Sequence, residues 1–237
     1  MYQLRQNRTG PLKPFYELFG DRLNTDDFHQ FFSNRVNKGR ITYLLSELYT
    51  ADRLADVILE EYGIRNKLKG NVILVLPEPE YDIPVFMFQL GGNDKQTIAL
   101  LDISPTQPDV DYTPLLPVFE KYRDLLKMEP SKLDWVNSIC SPYLLHCQYD
   151  EVDVGLFTEA LEAYLKVWIE HYYIPAKKLP SETAVEHATA AVFKFKRVLH
   201  DNDPAYGIFK KEWGQPVADA FFYLETRHHP ALPPPEH

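Results

Sequence analysis

A lone carboxylate inside an apolar run is the place where this sequence offers chemistry. Asp102 stands between Leu101 and Ile103 in the run 97–103 (Thr-Ile-Ala-Leu-Leu-Asp-Ile), where an unpaired charge is costly. Two kinds of chemistry fit it. The carboxylate can accept hydrogen bonds from Ser104, Thr106 or the turn backbone and close a strand end. Alternatively, burial can penalise the anion and keep the acid protonated near neutral pH, ready to donate. Other constellations are missing from the chain: there is no GxGxxG, P-loop, HExxH or GxSxG. The eight histidines (His29, His146, His171, His187, His200, His228, His229 and His237) form no ligand pair. His146 and Cys147 are adjacent on a short strand, so they point to opposite faces and cannot act together. Cys140 and Cys147 make no CxxC, which argues against structural zinc and suits a reducing cytoplasm. No site for a bound flavin, nicotinamide or metal is legible.

The elements that would position Asp102 are three apolar runs between Asn71 and Thr106. Residues 72–76 stop at Pro77-Glu78-Pro79, residues 83–90 at Gly91-Gly92-Asn93-Asp94, and residues 97–103 at Ser104-Pro105. Short apolar runs bounded by Pro, Gly, Asn and Asp predict an antiparallel meander, and their weak alternation predicts a sheet covered on both faces. Residues 1–20 are expected to be an extended lead-in. Asn24-Thr25-Asp26-Asp27 offers a cap for a short amphipathic helix carrying Phe28, Phe31, Phe32 and Val36. Spacings near three and four over 41–62 predict a helix. Helices are also predicted over 115–127, over 157–170, from Ser181-Glu182-Thr183 to about Leu199, and over 205–223 with Gly214 and Pro216 disturbing the last. Residues 143–148 form a short strand candidate with Trp135 upstream as a core anchor, and the tail 226–237 is expected to be extended. No repeat or long linker divides the chain, so 1–237 is expected to be a single domain with helices covering a mainly antiparallel sheet.

The 237 residues, 45% hydrophobic and 25% charged, are enough for a real core; 14% are aromatic, which suits a site for a large flat ligand. A net charge of −9 argues against nucleic acid as a partner. No run approaches the ~20 apolar residues of a membrane span, and the charged N-terminus lacks a signal-peptide core. A cytoplasmic protein, expected to be monomeric, is the reading.

The segment PEPEYDIPVF at 77–86, followed by LLDISPTQ at 100–107, resembles the core motif of the ferredoxin-dependent bilin reductases, with its P-x-P-x-Y-x-x-P-x-F and its strand ending in D-[LI]-S-P. Asn202-Asp203, with Trp213-Gly214 ten residues on, is similar to that family's C-terminal loop, and Trp135 with Ser141-Pro142-Tyr143 falls where the family has a Trp and S-x-Y. The likeness spans about residues 40 to 225. It implies a three-layer α/β/α sandwich with a linear tetrapyrrole between the sheet and the C-terminal helices. It also implies that 52–62 is a strand, against the spacing, since tertiary context overrides propensity.

The resemblance further implies an oxidoreductase with no bound cofactor of its own. Reduced ferredoxin would supply single electrons to biliverdin or a related bilin, which passes through radical states. Asp102 matches the family's proton-donating aspartate and Asp203 its second acid, although Asp203 beside Pro204 is equally a helix cap. Ser104 and Asn202 fall in the two motifs and are expected near the substrate. Arg53, Lys194, Lys196 and Arg197 are candidates for the bilin propionates, and Arg65, Lys67 and Lys69 for a basic patch facing the acidic donor. Relatives carry His or Asn on the strand matching 83–90; here that position offers Val85, Phe86, Met87, Phe88 and Gln89. A Glu that some relatives place on the first central strand would fall among the apolar residues 72–76. Two rival readings follow: a bilin- or haem-binding protein of the same fold without reductase activity, and a relative of the chlorophyll-catabolite reductases.

Overall fold

The computed structural model describes residues 10–65, 68–93, 96–150 and 152–226. Seven strands lie side by side in chain order, each antiparallel to its neighbours. They are β1 (Leu23–Asn37), β2 (Arg40–Ala51), β3 (Leu54–Ile64), β4 (Leu68–Pro77), β5 (Val85–Asn93), β6 (Gln96–Ser104) and β7 (Leu145–Asp150). The helices are α1 (Lys13–Phe19), α2 (Leu116–Leu126), α3 (Asp134–Asn137), α4 (Val154–Val167), α5 (Glu182–Asn202), α6 (Ala205–Trp213) and α7 (Gln215–Thr226). A π-helical turn, Trp168–Tyr173, continues α4. The expected α/β/α layering is the observed one, because both sheet faces are apolar enough to need cover.

The register separates the two faces. On the first, Val57, Val75, Phe86, Phe88, Leu101 and Ile103 are buried beneath α1, α2 and α4. Phe86 lies 5.8 Å from Trp168 between ring centres, Phe88 stacks 5.7 Å from Phe157, and the Trp168 indole N–H donates to the Pro84 carbonyl at 2.9 Å. On the second face, Leu48, Ile58, Leu74, Val85, Met87 and Leu100 meet Val136 and Ile139 of α3 and its C-terminal turn, and Phe195 and Leu199 of α5. Further along that face, Leu44, Tyr62 and Ile64 meet Phe209, Phe221 and Phe222 of α6 and α7. The second face also carries polar side chains that the first mostly lacks, Ser46, Glu60, Asp102 and Ser104 among them, all almost wholly buried. A sheet face that buries such groups carries a cost that apolar packing alone would avoid.

Several sequence expectations give way. The segment expected to be a helix over 24–36 is β1, whose backbone groups pair along β2, and the Asn24 side chain accepts from the Asp26 N–H in a local turn rather than capping a helix. The helix that spacing predicts over 41–62 is the β2–β3 hairpin, turning at Arg53 with φ 63°, and the strand that the resemblance implies over 52–62 is the observed β3. The spacing misled because strands buried on both faces lose their period of two. Within the expected lead-in, Lys13–Phe19 is helical, with Pro14 in its first turn, Phe15 buried against Phe19, and Phe19 against Trp168 and Tyr173. The final helix is two, broken at Gly214 with φ 91°. Residues 1–9 and the tail 227–237 lie outside the described residues. No helix among the described residues is long and apolar enough to cross a membrane.

Candidate active site

Strand pairing sets polar residues of the second face in transverse rows. One runs Ser46, Glu60, Val72, Gln89, Leu100 and His146 across β2 to β7; the next places Asp102 beside Met87 and Leu74. A third brings Tyr62 opposite Gly70 and Gly70 opposite Gly91. A Cβ on Gly70 would collide with the Tyr62 ring, and one on Gly91 would sit 2.6 Å from its hydroxyl. Both glycines are therefore needed for the phenol to lie flat across the sheet.

Above these rows lies a cavity of about 120 Å³. Its floor is Tyr62, Gln89, Leu100 and His146; its walls are Trp135 of α3, Ile208 and Phe209 of α6, and Asp203 in the loop that leads to α6. Asp203 ends α5, and its Oδ1 accepts the Ala205 N–H at 2.7 Å, so it is a cap as well as a wall. Burial, opposed by that N–H, pushes its carboxyl up to about 6. Glu60 is 1% exposed and neither of its oxygens has a hydrogen-bond partner; the Ser46 hydroxyl beside it lies outside hydrogen-bonding geometry. Burial, with a further contribution from Asp203, pushes the Glu60 carboxyl up to about 8. Glu225 of α7 is raised as well, by burial and then by Glu60 and Asp203. Burial lowers the His146 imidazole, which favours the neutral form. Among the described residues, no group of three or more His, Cys, Asp or Glu could hold a metal ion.

Asp102 shares the face but not the cavity wall. It is fully buried, and its carboxylate accepts the Ser104 hydroxyl (2.5 Å), the Ser141 N–H (2.9 Å) and the Ser141 hydroxyl (2.5 Å). Burial raises its pKa and these donors hold it down, the first effect prevailing. The same burial, with Asp102 next to it, pushes the Cys140 thiol well up, so the thiol is no nucleophile. The partner foreseen in Ser104 is present, whereas Thr106 donates instead to the Ile83 carbonyl.

The other expected site residues divide. Val85, Met87 and Gln89 join Asp102, Ser104 and Asp203 on the second face. Phe86 and Phe88 do not, because alternation turns them into the opposite core. Asn202 is exposed and donates to the Val198 carbonyl of its own helix. Arg53 is bound to Asp52, to the Ala176 carbonyl and over the Tyr173 ring, on the first-face side. Lys194 is exposed and donates to the Ser138 carbonyl, Arg197 is exposed, and Lys196 pairs with Asp56 at 3.1 Å. None of these four basic residues lines the cavity. Tyr62 and His146 line the cavity without the sequence having announced them, and Glu60 and Glu225 interact with its Asp203. Only the pairing of β7 with β6 could have flagged His146, and nothing local marks Glu225.

A tomato phytochromobilin synthase crystallised in complex with biliverdin has a similar fold, with TM-score 0.75 at 16% identity over 92% of this chain and 82% of that one. The sequence profile of the ferredoxin-dependent bilin reductases matches residues 24–224. The chain is thus a member of the ferredoxin-dependent bilin reductase family, a family of oxidoreductases.

Proposed function

We propose that this protein reduces biliverdin or a related linear tetrapyrrole, held between the second sheet face and α5–α7, with electrons arriving singly from reduced ferredoxin. The observation that carries the reading is Asp203: an acid with a raised pKa on the wall of a cavity whose lining is mostly apolar. A group of that kind is partly protonated near neutral pH and can pass its proton to an electron-rich guest. Saturating one double bond takes two electrons and two protons. Asp203 supplies a proton at the cavity wall. Asp102 acts at one remove, since a proton leaving it must pass the hydroxyls of Ser104 or Ser141 that enclose it.

That enclosure favours a second reading, in which the fold binds a tetrapyrrole without reducing it. An anaerobic assay with biliverdin and a ferredoxin reducing system separates the two. The wild-type protein is expected to bleach and shift the biliverdin spectrum. Asp203→Asn is expected to bind biliverdin normally but turn over about 100-fold more slowly, and Asp102→Asn to accumulate a radical. Binding without any spectral change in the wild type would decide for the second reading.

A further inference from the structure

A second depression lies outside the cavity, where the β1–β2 hairpin tip, the end of β3 and the C-terminal end of α6 converge. It is a groove of about 250 Å³ walled by Arg35, Lys38, Arg40, Arg65, Lys211 and Glu212. Five cations thus face a single carboxylate, in a chain of net charge −9. Glu212 is already engaged: its carboxylate pairs with Arg65 at 2.8 Å, and its carbonyl accepts from Arg35 at 3.0 Å. Lys38, Arg40 and Lys211 are exposed and have no ion pair among the described residues. The hairpin tip that presents them is a tight turn, with Lys38 at φ 50° and Gly39 at φ 71°. Concentrated like charge repels itself and attracts a negative partner from a distance.

Helix α6 links this groove to the cavity. Lys211 and Glu212 wall the first, while Ile208 and Phe209 wall the second. Between them the rings touch in file. Trp213 meets Phe209 edge-on at 5.6 Å, Phe209 meets Tyr62 at 5.1 Å, and Tyr62 forms part of the cavity floor. The Trp213 indole N–H is buried with no acceptor, so this ring is held by packing and not by a polar partner.

We infer that this groove docks the acidic one-electron donor, and that the Trp213–Phe209–Tyr62 file is the packed medium through which each electron reaches a tetrapyrrole in the cavity. The inference rests on the proposed function above. Each docking oxidises the iron–sulfur centre of the donor by one electron and reduces the bound tetrapyrrole by one. Two dockings and two protons saturate one double bond.

The test is the double variant Arg40→Glu/Lys211→Glu in the full-length protein, with Lys177→Glu, exposed and away from the groove, as control. The double variant is expected to weaken ferredoxin binding about tenfold or more at low ionic strength and to flatten its salt dependence. Biliverdin affinity and turnover with a reduced viologen should stay at the wild-type level. Trp213→Leu is expected to slow turnover at saturating ferredoxin while leaving ferredoxin affinity unchanged. Wild-type ferredoxin affinity in the double variant overturns the docking surface, and wild-type turnover in Trp213→Leu overturns the aromatic file. Failure of both ferredoxin and the viologen to reduce biliverdin strikes the proposed function instead; a ferredoxin titration followed by NMR then still decides the surface.

Discussion

Glu60 is the side chain most at odds with its surroundings. Its carboxyl is buried and unpartnered; Asp203 adds to what burial does to it, and Glu225 is raised in turn by burial, Glu60 and Asp203. The groups that interact with it come from several elements: Ser46 of β2, Tyr62 of β3, Asp203 beyond α5 and Glu225 of α7. Because its folded pKa stands above the unfolded value, the native state binds more protons than the unfolded chain between about 4.5 and 8. Stability should therefore be greatest below that window, fall as pH rises through it, and level off above it. Glu60→Gln should remove most of that slope and raise stability at pH 7 by roughly 1–3 kcal/mol; denaturation curves taken across the window check it, and an unchanged slope contradicts it. At this scale Asp102 was legible because it interrupts an apolar run. Glu60 was not, since Leu59-Glu60-Glu61 looks the same whether exposed or buried, and only cross-strand neighbours distinguish the cases.

The strand is the next scale, and β5 shows what it decides. Alternation sends Phe86 and Phe88 into the first-face core while Val85, Met87 and Gln89 stay with Asp102. Phe88→Ala is thus expected to cost about 3–5 kcal/mol of stability by leaving a cavity against Phe157, with biliverdin affinity little changed in a titration of the folded fraction. Gly70→Ala should cost about 1–3 kcal/mol, because its methyl group must displace the Tyr62 ring. It should also weaken biliverdin binding by tilting that ring into the cavity. The central strands were legible because Pro, Gly and Asn bound them. The β2–β3 hairpin was legible only in part: the family resemblance gave 52–62 as a strand, while the spacing of 41–51 imitates a helix and backbone pairing with β1 and β3 overrides it.

For the molecule as a whole, the size of the cavity has a dynamic consequence. At about 120 Å³ it is well below the ~300 Å³ at which ligand pockets usually begin. A tetrapyrrole can enter only if α6, α7 and the Asp203 loop move off the sheet. Amide hydrogen exchange should therefore be faster over 203–226 than over β4–β6 in the free protein, and biliverdin should protect the first segment selectively. Equal protection with and without biliverdin would place the ligand elsewhere. The first face is sealed by Trp168, Phe86 and Phe157.

By itself the sequence determined the meander around residues 71–106, the helices after residue 115, the unusual standing of Asp102, and the family through its motifs. Those features are local: turn residues, apolar stripes and short fixed spacings set them within a few positions. Only the tertiary structure decided which face each side chain meets, that Asp102 is enclosed by Ser104 and Ser141, and that Glu60, Asp203 and Glu225 converge from β3, α5 and α7. It also decided that Arg35, Lys38 and Arg40 meet Arg65 and Lys211. The physical reason is that burial and charge are properties of a neighbourhood assembled from distant segments, and pairing register, which no single segment encodes, determines who the neighbours are.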